Sequence, residues 1–376
     1  MRVGITAEAL NNNGSGIKTY SYYLIKKLNE IENLDICLIG YENDTTFPSL
    51  NKILISNPFS FISKLYLWHP YLTLKLNSKK YNLDIVHSLN TGPSFFKLNK
   101  QKYVITVHDL IPLVFPQTRP YRVFLIYKYL LPRTLRKADK IIAVSNSTKS
   151  DLIKFFNLPS EKIEVIYEAA DERFKVLIDD DVRDIKQKYN LTFPFILYVS
   201  GLAPHKNLIT LIKAFHKVKP KGIDHKLVIT GKKRWKYKEI FDSIDALHLQ
   251  DDVIFTGYVP DEDLPGLYNA ADLFVYPSLY EGFGLPPLEA MACGCPVIVS
   301  NTSSLSEVVG DSGILFDPYD VEELADCILN VLKNIKFKEK MIKKGLSRAK
   351  LFSWEKCTKS TLCVYEEVYS ALQKSS

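Results

Sequence analysis

No run in the chain approaches the ~18 apolar residues of a transmembrane helix. Arg2 leads straight into the strand-like V-G-I-T-A and then polar residues, which is not the layout of a signal peptide. The six cysteines, Cys37, Cys293, Cys295, Cys327, Cys357 and Cys363, show no paired C-x2-C spacing, and Cys293-Gly294-Cys295 alone builds no zinc site. They read as reduced thiols of a cytosolic protein, most of them packing residues. The dinucleotide fingerprint G-x-G-x-x-G is missing, because the loop Gly14-Ser15-Gly16 would need glycine at position 19, where Thr19 stands. Lys18-Thr19 likewise lacks the preceding glycine of a P-loop. These absences leave nothing that identifies a nicotinamide enzyme or an ATPase, and there is no obvious D-x-D metal motif in a cleft loop. Low-complexity tracts are also absent. An acidic surplus is lacking too: 49 Lys and Arg against 42 Asp and Glu leave a formal charge of +7. That mild excess suits phosphate-bearing ligands or an anionic membrane surface and does not by itself argue for nucleic acid.

What is present is an alternation of short apolar runs with helical patterns. At 376 residues the chain exceeds one ordinary core, so two domains of roughly 150–200 residues are expected. Strands are predicted at 2–7, 35–40, 52–56, 84–89, 103–108 and 140–145, and again at 195–200, 226–231, 253–258, 272–276 and 296–300. Their apolar character on both faces fits parallel sheets covered by helices. Helices are predicted over 17–29, where Tyr20, Leu24 and Leu28 recur every four positions, and over 207–218, 236–248 and 353–373. The fold class is therefore α/β, with two doubly wound Rossmann-like domains facing a cleft. The boundaries read as an N-terminal domain 1–170, a charge-rich connector 171–190, a C-terminal domain 191–352 and a terminal helix 353–376 packing back on the first domain.

The most informative stretch is Pro277–Cys295, P-S-L-Y-E-G-F-G-L-P-P-L-E-A-M-A-C-G-C. Proline pre-sets the first helical turn, so a helix is expected to start near Pro286 or Pro287. That leaves Glu281 in the loop and puts Glu289 in the first turns. Free N–H groups at a helix start seat a phosphate well, and Gly282 and Gly284 let backbone approach a ligand. In the second domain, G-L-A-P-H-K-N-L places Lys206 at the mouth of a helix, with Asn207 as its expected N-cap. An ammonium opposes the dipole there, which makes sense where an anion sits between them. His108 closes a strand at its C-terminal end. Two stretches, 61–71 and 119–137, mix aromatic and basic residues. They suit contact with a membrane or a lipid-linked acceptor, and equally ordinary helices with snorkelling basic side chains.

The run E-G-F-G-L-P-P-L-E resembles the Glu-x7-Glu signature of retaining glycosyltransferase family 4. The likeness extends over T-V-H-D-L-I-P-L, I-I-A-V-S-N-S-T, P-H-K-N-L, G-Y-V-P-D-E-D-L-P-G-L-Y-N-A-A-D and L-S-E-V-V-G-D-S-G-I-L-F. It is nearest to the mannosyltransferase-like P-R-K-N-L subgroup. The resemblance implies the GT-B fold, with the nucleoside diphosphate sugar held mainly by the C-terminal domain and the acceptor, a saccharide or lipid-linked saccharide, by the N-terminal one. It assigns Glu289 to the ribose hydroxyls, Glu281 to the transferred sugar and Lys206 to the diphosphate. His108 is assigned to the donor sugar, and Gly14, Gly16, His205, Gly282, Phe283, Gly284 and Leu285 to the donor's surroundings. It also implies front-face attack with retention, neither glutamate acting as an acid/base pair, and no required metal or other cofactor. Peripheral contact with an anionic membrane on the cytoplasmic face, in surface-polysaccharide assembly, completes the expectation. Two departures stand out. Many relatives carry an arginine just after the strand at 195–200, where this chain has Gly201 or Leu202, and the usual N-G-V-D at 168–171 is E-A-A-D. A nucleotide-sugar epimerase or hydrolase on the same frame, or a non-catalytic sugar-nucleotide-binding partner, are the competing readings.

Overall fold

The structure, a computed structural model, describes residues 1–7, 10, 16–40, 46–54, 76, 81–91, 98, 101–234 and 236–373. Gly14 and the stretch 61–71 lie outside the described residues. Two compact units emerge, one comprising 1–168 with the C-terminal helix from Trp354, the other 169–353.

The first unit is built on a seven-stranded, wholly parallel sheet ordered β3-β2-β1-β4-β5-β6-β7. Its strands are β1 (Arg2–Thr6), β2 (Asp35–Gly40), β3 (Asn51–Leu54), β4 (Ile85–Ser88), β5 (Lys102–Val107), β6 (Lys140–Ala143) and β7 (Ile163–Val165). The second unit carries six parallel strands ordered β10-β9-β8-β11-β12-β13. These are β8 (Phe195–Val199), β9 (Lys226–Thr230), β10 (Val253–Gly257), β11 (Leu273–Tyr276), β12 (Val297–Ser300) and β13 (Ile314–Phe316). Every residue of β8 and β11 is buried, as strands covered on both faces must be. In each sheet the strand order reverses once, between β1 and β4 and between β8 and β11. Such a reversal opens a crevice at the C-terminal strand ends, where ligands collect in open α/β sheets.

The three-residue edge strands β7 and β13 escaped the sequence pattern, because three residues carry no usable periodicity. The segment 171–190 is continuous with the second unit: its helix, Asp179–Lys188, packs on the helix Leu264–Ala270. The side chain of Ile185 there fills the space beside Gly266. The helix Trp354–Gln373 lies on the first sheet and on the helix Gly16–Leu28. Trp354 stacks on Tyr23, and Lys27–Glu355 and Lys140–Glu367 pair across its ends. Its anchor is a buried chain of polar groups. Tyr365 Oη lies 2.6 Å from His87 Nδ1, His87 Nε2 lies 2.9 Å from Thr106 Oγ1, and Thr106 Oγ1 lies 3.0 Å from Tyr20 Oη. Burial lowers His87 to about 3, so the ring is neutral, one nitrogen donating and the other accepting. Cys37, Cys293, Cys295 and Cys357 are all buried packing residues.

Candidate active site

In the second unit, the loops leaving β8 and β11 meet at the reversal of strand order. Pro204–Lys206 form one 3-10 turn before the helix Leu208–Val218. The carbonyl of His205 accepts from the Leu279 N–H at 2.8 Å and from Ser278 Oγ at 3.2 Å, tying the two loops together. Lys206 Nζ donates to Glu281 Oε1 at 2.5 Å and to Tyr276 Oη at 3.0 Å, and sits 5.4 Å from the Tyr276 ring centre. Tyr276 Oη in turn donates to Ser200 Oγ at 3.5 Å. Burial opposes ionisation of Glu281, yet the Lys206 ammonium, with His205 beside it, holds its carboxyl below the usual range. The anion facing Lys206 here is thus a side chain of the chain itself.

Asn207 departs from its expected role. It occupies the cap position in a left-handed conformation (φ 55°), and its side-chain oxygen Oδ1 accepts from the Thr210 hydroxyl rather than from a backbone N–H. Its amide donates to Pro318 O, so the residue serves the loop's packing more than the helix start.

The glutamate loop is held from below by hydroxyls that the sequence reading did not single out. Thr302 Oγ1 donates to Ser278 O, the Glu281 N–H donates to Ser303 Oγ, and the Ser304 hydroxyl reaches both Glu281 O (3.0 Å) and Phe283 O (2.5 Å). Gly284, with φ 117°, opens the helix Leu285–Ala292, close to where the prolines predicted it. Leu285 begins that helix; Phe283 is buried and meets Phe352 edge-on. Glu289 projects one turn further on, half-buried, and accepts from Tyr268 Oη at 3.0 Å through Oε2. Burial pushes its carboxyl up to about 8, aided by Asp171 and Asp261 and opposed by the Tyr268 hydroxyl. Tyr276 lies within the electrostatic reach of both glutamates. Lys206, His205 and Glu281 are therefore one cluster, and Glu289 is a separate acceptor on the adjoining helix.

In the first unit, Gly16 is the exposed first residue of the helix Gly16–Leu28. His108 follows β5, with Nδ1 2.9 Å from Glu168 Oε1 and Nε2 2.9 Å from Leu89 O. Both partners are acceptors, so both nitrogens carry protons. Burial would lower this histidine, but Glu168 outweighs it and the net shift is upward. Glu168 was read from the sequence only as a departure at the hinge; its contact with His108, sixty residues away, has no local signal.

Residues 181–348 match the family described as "Glycosyl transferases group 1", and residues 14–174 match "Glycosyltransferase Family 4". The O-antigen chain mannosyltransferase B of Escherichia coli is 32% identical over 97% of this chain and 100% of its own length. Sucrose-phosphate synthase from Thermosynechococcus elongatus has the same fold, with a TM-score of 0.78 at 21% identity over 98% and 99% of the two chains. So has Anabaena Alr3699/HepE, solved in complex with UDP and glucose, with a TM-score of 0.75 at 19% identity over 98% and 100%.

Proposed function

The chain belongs to the group 1, family 4 glycosyltransferases, retaining enzymes that use nucleoside diphosphate sugars and have the GT-B fold, and from that premise we propose that it transfers a hexose, mannose first among candidates, to a saccharide or lipid-linked saccharide in surface-polysaccharide assembly. The observation that carries the reading is the Lys206–Glu281–Tyr276 cluster at the strand reversal between β8 and β11. A departing diphosphate needs fixed positive charge, and Lys206 supplies it from a base already anchored by Tyr276. Glu281, released from Lys206 as the phosphates engage it, accepts hydroxyls of the sugar. Glu289 and the helix start at Leu285 take the ribose and its nearest phosphate. The resemblance to family 4 favours binding roles over hydrolytic acid/base roles for both glutamates. The similarity to an O-antigen mannosyltransferase supports the choice of mannose and of polysaccharide assembly.

The test uses GDP- and UDP-sugars with and without acceptor saccharide. Transfer product should require acceptor, and Glu281→Ala or Lys206→Ala should each lower kcat/KM by about 100-fold. Acceptor-independent turnover without a transfer product would instead favour the epimerase or hydrolase reading. Unchanged rates in both variants would remove the assigned site.

For the acceptor side, the segment 110–138 favours a lipid-linked substrate at an anionic membrane surface on the cytoplasmic face. It holds six cations (Arg119, Arg122, Lys128, Arg133, Arg136, Lys137) and no acid. None of the side chains of Tyr121–Leu130 is buried, and Tyr121 and Tyr129 are 69% and 52% exposed. Exposed aromatics among cations, in a segment with no acid of its own, match the interfacial zone of a bilayer. Among the described residues no helix is long and apolar enough to cross a membrane. Sedimentation with phosphatidylglycerol-containing vesicles, weakened by salt and absent with pure phosphatidylcholine, is the expected result. Tyr121→Ser with Tyr129→Ser should reduce it several-fold; equal sedimentation of the variant would remove the assignment.

A further inference from the structure

Directly after β8 and Ser200, where the resemblance to family 4 implies a diphosphate arginine in many relatives, this chain has Gly201 and Leu202. The space that a side chain there would use is already filled. A Cβ built on Gly201 would lie 3.0 Å from Cγ and 3.3 Å from Nε of Arg234. Arg234 comes from the loop after β9, the strand paired with β8 in parallel register. We propose that Arg234 supplies, from this neighbouring strand, the guanidinium that position 201 lacks, and that it binds the diphosphate of the donor opposite Lys206. The proposal rests on the glycosyl-transfer reading above.

Three observations fix Arg234 there. First, its backbone is pinned to the end of β8: the Leu202 N–H donates to Lys232 O (2.9 Å), the Arg234 N–H donates to Leu202 O (3.2 Å), and Leu202 pairs with Lys233 as a bridge. Gly231, at φ 149°, makes this possible, since a Cβ there would fall 1.8 Å from Ser200 O. Secondly, the neighbouring lysines lean on rings: Lys232 is 4.1 Å from the Tyr258 ring centre, and Lys233 lies 5.2 Å and 4.8 Å from those of Tyr237 and Phe241. Arg234 is exposed and makes no ion pair among the described residues. Thirdly, the Ser200 hydroxyl beside Gly201 accepts from Tyr276, which also holds Lys206. Arg234 and Lys206 therefore lie on loops from adjacent strand ends, joined through Ser200 and Tyr276. Lys206 brings a single positive charge, so a doubly charged diphosphate calls for a further cation. A planar guanidinium can grip two phosphate oxygens at once.

The experiment measures binding of GDP, UDP and the corresponding nucleosides by calorimetry, with the full chain and with Arg234→Ala, Arg234→Lys, Lys206→Ala, Gly201→Arg and the double variant Gly201→Arg/Arg234→Ala. Arg234→Ala should weaken the bound diphosphate by ~tenfold while leaving nucleoside affinity and the melting temperature unchanged. Arg234→Lys should fall between. Gly201→Arg alone should weaken binding through crowding against Arg234, whereas the double variant should recover most of the loss. Wild-type diphosphate affinity in Arg234→Ala overturns the proposal, as does a double variant no better than Arg234→Ala. If Lys206→Ala loses affinity in that case, the site reading stands and only the role of Arg234 falls. If neither diphosphate binds the unaltered chain, both fall.

Discussion

At the scale of single residues, His108 and Glu289 carry opposite lessons about burial. His108 sits between the Glu168 carboxylate and the Leu89 carbonyl, and the groups facing it from packed elements are Tyr20, whose ring meets it edge-on at 4.8 Å, and the neutral His87. Its upward shift means that the folded state holds the proton more tightly than the unfolded one. The resulting stability is fully present below the ordinary histidine value of ~6.5 and is lost as pH rises through the raised folded value. Glu168→Gln should therefore destabilise the first unit at pH 6 and matter progressively less toward pH 9, read as the difference in melting temperature across that range. A constant difference at every pH would contradict the charged pair. Glu289, raised to about 8, gives stability that is full below the ordinary glutamate value of ~4.3 and lost as pH climbs to about 8. Because that window overlaps the other, the comparison has to be made between variants rather than on the unaltered chain alone.

At the scale of elements, the glutamate loop depends on one backbone conformation and one bracket of hydroxyls. Gly284 adopts φ 117°, and a Cβ there would meet Leu305 Cδ2 at 3.0 Å. Alanine at this position should cost about 1–2 kcal/mol from the left-handed backbone, measured by urea unfolding, and should lower donor affinity because Phe283 and Leu285 move with the turn. Unaltered stability would mean that the loop relaxes to another conformation without loss. The two glycines and the proline pair made this turn legible in the sequence, since each has a local conformational meaning. The hydroxyls of Thr302, Ser303 and Ser304 were not legible as support, because what they hold lies some twenty residues earlier in the chain.

At the scale of the whole molecule, the C-terminal helix is a structural part of the first unit although it follows the second in sequence. Trp354, Tyr365 and Val368 are buried on it, and at ~1.5–3 kcal/mol for each large apolar side chain they represent much of a domain's typical 5–15 kcal/mol. Its removal would also leave His87 without Tyr365 in a fully buried position. A chain ending at Ser353 should lose the cooperative melting of the first unit, followed by calorimetry, while GDP or UDP still protects the second unit. Survival of both transitions would show that the helix is dispensable.

The sequence by itself determined the alternation of strands and helices, the two-unit plan, the helix start after the proline pair and the identity of Lys206, Glu281, Glu289 and His108 as the groups to watch. Local patterns suffice for these, because apolar runs, proline and glycine act on their own backbone. Only the tertiary structure decided how those groups are paired: Lys206 with Glu281 and Tyr276, His108 with Glu168, Glu289 with Tyr268, and Arg234 against Gly201. Those partners lie about twenty to seventy-five residues apart in sequence, and nothing short of the parallel sheets, which bring successive strand ends to one edge, puts them within reach of each other.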